Sequence, residues 1–300
     1  MRPETRVGVL GATSLVGQCL LSELAKVGTP VVAYSRDEQV SPPGDAIEWR
    51  CLPRSDSPGR RQPAVAEVSD GGIALWICAA PIWVLPEHFA LLEAHPLQRV
   101  LALSSTSRFT KDDSSDPEEN AVARRLADAE EALAEWAGRR GVEWVVLRPT
   151  LIYGLGRDKN LCEMARVIGR FGFFPLLGEA QGRRQPIHAQ DVAAACLAAL
   201  GAPAAANRAY NISGGSTLAY REMAAQVFAA LGRPPRLLQV PLSVFGLAVA
   251  LLRCLPRYRH WSAAMAERMN RDLVFDHGEA VRDFAFAPRP FALTSADLPK

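Results

Sequence analysis

The 300-residue sequence predicts an α/β protein, with a doubly wound parallel sheet followed by a smaller C-terminal α+β lobe. Three observations carry this expectation. Residues 6–17, Arg-Val-Gly-Val-Leu-Gly-Ala-Thr-Ser-Leu-Val-Gly, read as a short buried strand that enters a tight turn of small residues and opens directly into a helix. Continuous apolar runs bounded by turn residues recur as far as residue 147, as strands covered on both faces require. Helical periodicities alternate with these runs, and that alternation specifies parallel strands joined by right-handed crossovers.

The elements follow in order. Leu15, Val16, Cys19, Leu20, Leu24 and Val27 share helical spacing over 14–27, and Gly28 is placed to end the helix. Residues 30–34 form a second strand, with Ser35 and Arg36 at its carboxyl end. Residues 46–49 are a candidate third strand before a loop at 53–63 rich in Pro, Arg and Ser. Residues 71–80 read as a fourth, fully buried strand, followed by a helix near 85–95. A fifth strand at 99–103 ends in Ser104-Ser-Thr-Ser107. An acidic, Ser-rich loop at 110–117 leads into a long helix over 118–140, terminated by Gly141, and residues 143–147 are a sixth strand.

Beyond Pro149 the alternation stops. Helical patterns near 158–170, 190–201, 220–231 and 242–254 are separated by short strand candidates at 209–212 and 236–240. Residues 1–150 are therefore expected to form the sheet domain and 151–300 mainly a smaller lobe closing a cleft over the carboxyl ends of the strands. Parts of 181–215 are expected to return to the sheet domain.

Composition narrows the function classes. Charges nearly cancel at +2, which excludes a strongly basic nucleic-acid surface, and the 49% hydrophobic content excludes disorder. The six cysteines, Cys19, Cys51, Cys78, Cys162, Cys196 and Cys254, form no CxxC pair and have no His at ligand spacing. Neither a metal site nor a disulfide framework is expected, and reduced thiols suit a cytoplasmic protein. The first residues, Met-Arg-Pro-Glu-Thr-Arg, run straight into a strand, so no signal peptide is expected. The apolar stretch 242–255, at about 14 residues, is shorter than the ~20 needed to span a bilayer. It reads either as a buried helix or, given the following Arg257, Arg259 and His260, as a segment seated on a membrane surface or over an apolar substrate.

The opening turn carries the main chemical signal. Gly11 and Gly17 permit the tight turn and a close approach of helix to strand, so the N–H groups of Leu15 and Val16 would face phosphate oxygens along the helix dipole. Arg36, at the end of the second strand, suits the 2′-phosphate of NADP and so favours NADP over NAD. Asp37, which could accept from a ribose 2′-hydroxyl, is the competing signal.

Five segments in order extend this reading: residues 11–17, Ala79-Ala-Pro81, Ser104-Ser-Thr106, residues 148–154 (Arg-Pro-Thr-Leu-Ile-Tyr-Gly) and residues 184–193 (Arg-Gln-Pro-Ile-His-Ala-Gln-Asp-Val-Ala). Residues 211–215 and 284–288 fit the same pattern. On these motifs the chain resembles the extended short-chain dehydrogenase/reductase superfamily, the NAD-dependent epimerase/dehydratase family, over essentially its whole length. The resemblance implies a Rossmann-type fold. It implies a dinucleotide held by Gly11, Thr13, Ser14, Leu15, Val16 and Gly17, with Ser35, Arg36, Ala79, Ala80, Pro81, Ser104 and Pro149 completing the cofactor site. Ser14 stands where glycine is usual in the family. A serine there can cap the helix and offer a hydroxyl to phosphate, at a cost in backbone freedom.

The resemblance also implies a catalytic Ser or Thr, matched by Thr106, and a Tyr-x-x-x-Lys pair on the following helix, which is absent. Aligning Glu130 with the family's glutamate puts Val122 and Leu126 at the pair's positions, and residues 118–135 contain neither Tyr nor Lys. Tyr153 is the first replacement acid/base to test, whereas Arg124 and Arg125 can hold a charge but not move a proton. Arg184 and Arg271 match positions near a substrate diphosphate. His188 and Asp191 read as structural residues at the start of a helix.

Three readings stay open. The first is an NADP-preferring oxidoreductase or epimerase-like enzyme acting on a nucleotide sugar or another carbonyl compound. The second is a non-catalytic dinucleotide-binding sensor or assembly protein. The third is a membrane-surface reductase of an apolar, steroid-like or isoprenoid substrate. A small-molecule substrate and no nucleic acid are expected in the catalytic readings, and a homodimer through the long helices is left open.

Overall fold

A computed structural model describes residues 5–39, 47–52, 72–112, 116–246 and 263–299. The first half of the chain gives β1 (Val7–Leu10), α1 (Leu15–Lys26), β2 (Val31–Ser35), β3 (Ile47–Cys51), β4 (Leu75–Cys78), α2 (Phe89–Glu93), β5 (Arg99–Leu103), α3 (Ser107–Thr110), α4 (Pro117–Arg140) and β6 (Glu143–Pro149). The second half gives β7 (Ile152–Tyr153), α5 (Asn160–Phe171), β8 (Phe174–Leu177), β9 (Arg183–Arg184), β10 (Ile187–His188), α6 (Ala189–Gly201), β11 (Arg208–Ile212), β12 (Leu218–Ala219), α7 (Tyr220–Ala230) and β13 (Leu237–Val240). Two short helices, Ala263–Asn270 and Gly278–Phe284, follow.

Seven strands form one sheet in the order β11-β6-β5-β4-β1-β2-β3, and every neighbouring pair is parallel. This is the doubly wound, Rossmann-type arrangement, in which the strand order reverses between β1 and β4 and opens a crevice at their carboxyl ends. The sequence periodicity yields six strands in the first 147 residues. The seventh, β11, comes from the far half of the chain and lies in register on β6 from Arg208 opposite Val145 to Ile212 opposite Pro149. Five residues of strand carry no sequence signal that names their partner. The expected helix near 85–95 is instead a 3-10 segment, Ile82–His88, running into α2, because Pro86 removes a backbone donor inside it.

Both faces of the sheet are covered. On one, α1 and α6 pack Leu20, Leu24, Val192 and Cys196 against Val9 and Ile77. On the other, α2 and α4 bury Leu92, Leu133 and Trp136 with Trp76 and Val100. Each fully buried large apolar side chain contributes about 1.5–3 kcal/mol. A third cluster, with Leu161, Ile168, Met223 and Phe228, forms the core of the lobe made by α5, α7 and β8.

Within the helical pattern 242–254, residues 242–246 are helical, and 247–255 lie outside the described residues, as do the loop at 53–63 and Cys254. Among the described residues no helix is long and apolar enough to cross a membrane, and no group of His, Cys, Asp and Glu could hold a metal ion. Cys19, Cys78, Cys162 and Cys196 are buried free thiols, and Cys51 is exposed.

One buried cation fastens α6 to the sheet. Arg99 pairs through Nε with Glu143 at 2.7 Å, and its Nη1 donates to the carbonyls of Ala199, Leu200 and Ala202 at 3.3, 2.8 and 2.7 Å. The Ala199 and Ala202 carbonyls also accept from the Ala202 and Ala205 N–H groups, whereas the Leu200 carbonyl at the helix end has Arg99 as its donor. Arg99→Ala removes the charged donor and leaves the Leu200 carbonyl without it, which is expected to cost about 3 kcal/mol, since hydrogen bonds to charged groups contribute about 1.5–3 kcal/mol each. Urea denaturation followed by circular dichroism measures this, and an unshifted midpoint would contradict the assigned role.

Candidate functional site

The turn between β1 and α1 is built by close contacts. A Cβ on Gly11, whose φ is +73°, would lie 2.5 Å from the Ala80 nitrogen, and one on Gly17 would lie 2.3 Å from the Gly11 carbonyl oxygen. Ser14 is the N-cap of α1: its Oγ accepts from the Gly17 N–H at 3.0 Å and donates to the Ala79 carbonyl at 3.1 Å. Its φ of −66° and ψ of 167° are ordinary extended geometry, so serine carries no backbone strain here. With the hydroxyl proton directed at Ala79, the side chain is a brace between the turn and the end of β4. The expected helix cap is thus present, and the extended backbone accommodates serine.

The first turn of α1 contains no acidic residue, so its positive end is not neutralised locally. The Gly17 N–H goes to Ser14 Oγ and the Gln18 N–H to the Ser14 carbonyl. The N–H groups of Leu15 and Val16 have no acceptor among the described residues. Two free amides, an unopposed helix dipole and a glycine cradle that a Cβ would fill make a donor set suited to a pyrophosphate.

These residues open into a cavity of about 1520 Å³ that runs from the sheet to the lobe. Of the residues singled out in the sequence, Ser14, Leu15, Val16, Ala79, Ala80, Pro81, Ser104, Thr106, Pro149 and Arg184 line it. Gly11, Thr13 and Gly17 shape the turn behind it. Ser35 and Arg36 sit at the carboxyl end of β2, beyond this cavity. Ser35 is buried with its Oγ accepting from the Asp37 N–H at 3.2 Å, and Arg36 is exposed.

Thr106 is buried on the cavity wall and donates through Oγ1 to the Pro149 carbonyl at 3.2 Å. Behind it, Ser104 donates to Glu130, and Glu130 receives Arg148 at 2.6 Å and also Arg108. Glu130 is 5% exposed, so this is a buried ionic knot joining β5, α3, α4 and β6. Val122 and Leu126, the positions aligned with the family's Tyr and Lys, face the same cavity from α4 and make that part of its wall apolar.

Tyr153 is not brought to the cavity. It is 1% exposed, packed edge-on against His188 and Phe291, and burial pushes its phenol up to about 12. At neutral pH a phenol so placed has no route to a substrate. Arg184 does reach the wall, but it is 5% exposed and its Nη1 donates to the Arg183 and Arg271 carbonyls, both at 2.8 Å, while Nη2 donates to the Arg268 carbonyl. Arg271 meets Arg184 through that carbonyl and does not line the cavity. His188 caps α6 by accepting from the Gln190 N–H and contacts Asp297 at 3.2 Å. Asp191 receives Arg289 through N and Nε at 3.1 and 2.8 Å.

Several wall residues carried no sequence signal. Lys111 lies 3.7 Å from Glu119, which also pairs with Arg268, and all three line the cavity. Burial, and then the Arg268 charge, pull the Lys111 ammonium below its ordinary value. Arg157 reaches from the loop after β7 to the Thr13 carbonyl at 3.2 Å and to Gln18, closing the lobe onto the turn. These pairs join segments more than eighty residues apart, or loops without periodicity, so no local pattern could have announced them.

Residues 89–213 match the family described as NAD dependent epimerase/dehydratase family. The chain is 26% identical over 139 residues to UDP-glucose 4-epimerase of Vibrio cholerae, covering 46% of this chain and 42% of that protein. The chain is 25% identical over 260 residues to mitochondrial NADH dehydrogenase [ubiquinone] 1 alpha subcomplex subunit 9 of Arabidopsis thaliana, covering 79% of this chain and 60% of that one. The alignments thus span about half the length of these two relatives. Among solved structures, MoeE5 in complex with UDP-glucose and NAD superposes with a TM-score of 0.67 at 19% identity, covering 95% of this chain and 94% of that chain. At that identity the likeness concerns the fold.

Two substitutions probe the turn. Gly17→Asp sets a side chain against the Gly11 and Ala12 carbonyls and is expected to abolish dinucleotide binding in a fluorescence titration; retained affinity would refute the placement. Ser14→Ala removes the cap and the tie to Ala79 together and is expected to lower stability by about 1–2 kcal/mol. A thermal melt with no displacement would contradict that expectation.

Proposed function

We propose that this protein binds a nicotinamide dinucleotide, NADP in preference to NAD, along the carboxyl ends of β1, β2, β4 and β5, and acts as an oxidoreductase on a carbonyl compound held in the lobe. The observation that carries the reading is the continuity between the two free amides of α1 and the lobe within one cavity. Its volume exceeds the ~300–1,000 Å³ of an ordinary single-ligand pocket and leaves room for a cofactor and a substrate together. Leu15 and Val16 hold the pyrophosphate, Arg36 meets the 2′-phosphate, and Ala79, Ala80, Pro81, Ser104 and Pro149 form the surface along which the cofactor lies. When bound, the nicotinamide supplies hydride exchange with a carbonyl carbon. Thr106 orients the carbonyl oxygen.

The proton for that oxygen is assigned to Lys111. It lies on the cavity wall, and burial together with Arg268 loosens its proton while Glu119 and Asp116 oppose that effect. A loosened ammonium is a better acid near neutral pH than an ordinary lysine. Lys111→Met is expected to reduce turnover at least tenfold with cofactor affinity unchanged. In the native protein, carbonyl reduction is expected to fall as pH rises through the lowered Lys111 value, where the ammonium is lost. A rate that is flat with pH, or unaffected by the substitution, would remove Lys111 from this role.

A non-catalytic dinucleotide-binding role is the second reading, and the apolar wall at Val122 and Leu126 favours it. Titration with both dinucleotides, followed by turnover assays over a broad carbonyl panel, separates the two. Arg36→Ala is expected to weaken NADP at least tenfold more than NAD, and equal losses would cancel the stated preference.

A further inference from the structure

The lobe half of the cavity differs in chemistry from the sheet half. Met164, Val167 and Phe171 of α5, Phe173 before β8, and Val244 and Phe245 after β13 line it. Phe171, Phe173 and Val244 also reach solvent, at 57%, 38% and 56% exposure, so one apolar surface continues from inside the cavity to its mouth. The rings of Phe171 and Phe173 lie 6.2 Å apart, forming an aromatic lip.

The cations on this wall are engaged elsewhere. Arg184 donates to three backbone carbonyls, Lys111 and Arg268 share Glu119, and Arg157 is tied to Thr13 and Gln18. The exception, Lys159, lines the wall together with the carboxylates of Glu119, Asp158 and Glu163, and these offset its attraction for an anion. A diphosphate would therefore lose its water here without gaining bidentate guanidinium contacts.

We propose that this half of the cavity is a subsite for an apolar carbonyl compound, an extended aliphatic or terpenoid ketone or aldehyde, and not for a nucleotide sugar. The proposal rests on the dinucleotide-dependent reading above. The carbonyl end lies toward Thr106, and the hydrocarbon body follows Met164 and Val167 out past the Phe171 and Phe173 lip, covering surface that water otherwise wets.

The test measures binding of 2-tridecanone and UDP-glucose to the full chain by intrinsic tryptophan fluorescence, with and without NADPH. The ketone is expected to bind at least tenfold more tightly than UDP-glucose. Phe173→Glu and Val244→Glu, both at exposed lip positions, are each expected to weaken the ketone at least tenfold while NADPH affinity stays unchanged. Tighter binding of UDP-glucose, or full ketone affinity in both variants, would overturn the proposal. Loss of NADPH binding in the native protein would instead defeat the dinucleotide reading, because ketone binding measured without NADPH still reports on the lobe.

Discussion

The arrangement depends on one hydroxyl group. Ser14 Oγ accepts the Gly17 N–H and donates to the Ala79 carbonyl, so a single side chain sets the first turn of α1 against the carboxyl end of β4. Because Gly17 lies against the Gly11 and Ala12 carbonyls, α1 can approach β1 only if position 17 lacks a Cβ. These constraints leave the Leu15 and Val16 amides without an acceptor among the described residues. The cavity then starts where the positive end of the helix is exposed.

Equally specific contacts close the lobe onto the turn and tie the sheet domain together. Arg157 grips the turn from the loop after β7, Arg99 holds the end of α6, and the Glu130 knot joins β5, α3, α4 and β6 behind Thr106. On α4, Val122 and Leu126 face the cavity as apolar wall, while buried charge is concentrated one turn further on at Glu130. The cavity thus combines the free amides of α1 with an apolar wall, and its lysines, Lys111 and Lys159, come from loops and not from α4.

Much of the fold was legible because strands buried on both faces are continuous apolar runs, as in β4 and β5, and because glycine and serine mark the turn at 11–17. What could not be read was partnership across distance. The pairing of β11 with β6 is a matter of register between strands about sixty residues apart. Pro86 lies in a 3-10 segment where the first part of a helix was expected, and the rest of that helix is present at Phe89–Glu93. At the site, the residue types at Ser14 and Arg184 were informative, but their hydrogen bonds were not. Ser14 is a structural brace, and Arg184 is committed to its neighbour's carbonyl and to those of the distant segment 268–271. Tyr153 had the chemistry of an acid/base but is packed on His188 and Phe291 away from the cavity.

The central claim is that the Leu15 and Val16 amides receive the pyrophosphate of a dinucleotide. Titration of ¹⁵N-labelled protein with NADP, following the two backbone amide resonances, tests it most directly. Both are expected to move downfield in saturable fashion and to gain protection from hydrogen exchange. Saturation of the protein with NADP while both amides stay unmoved and unprotected would contradict it.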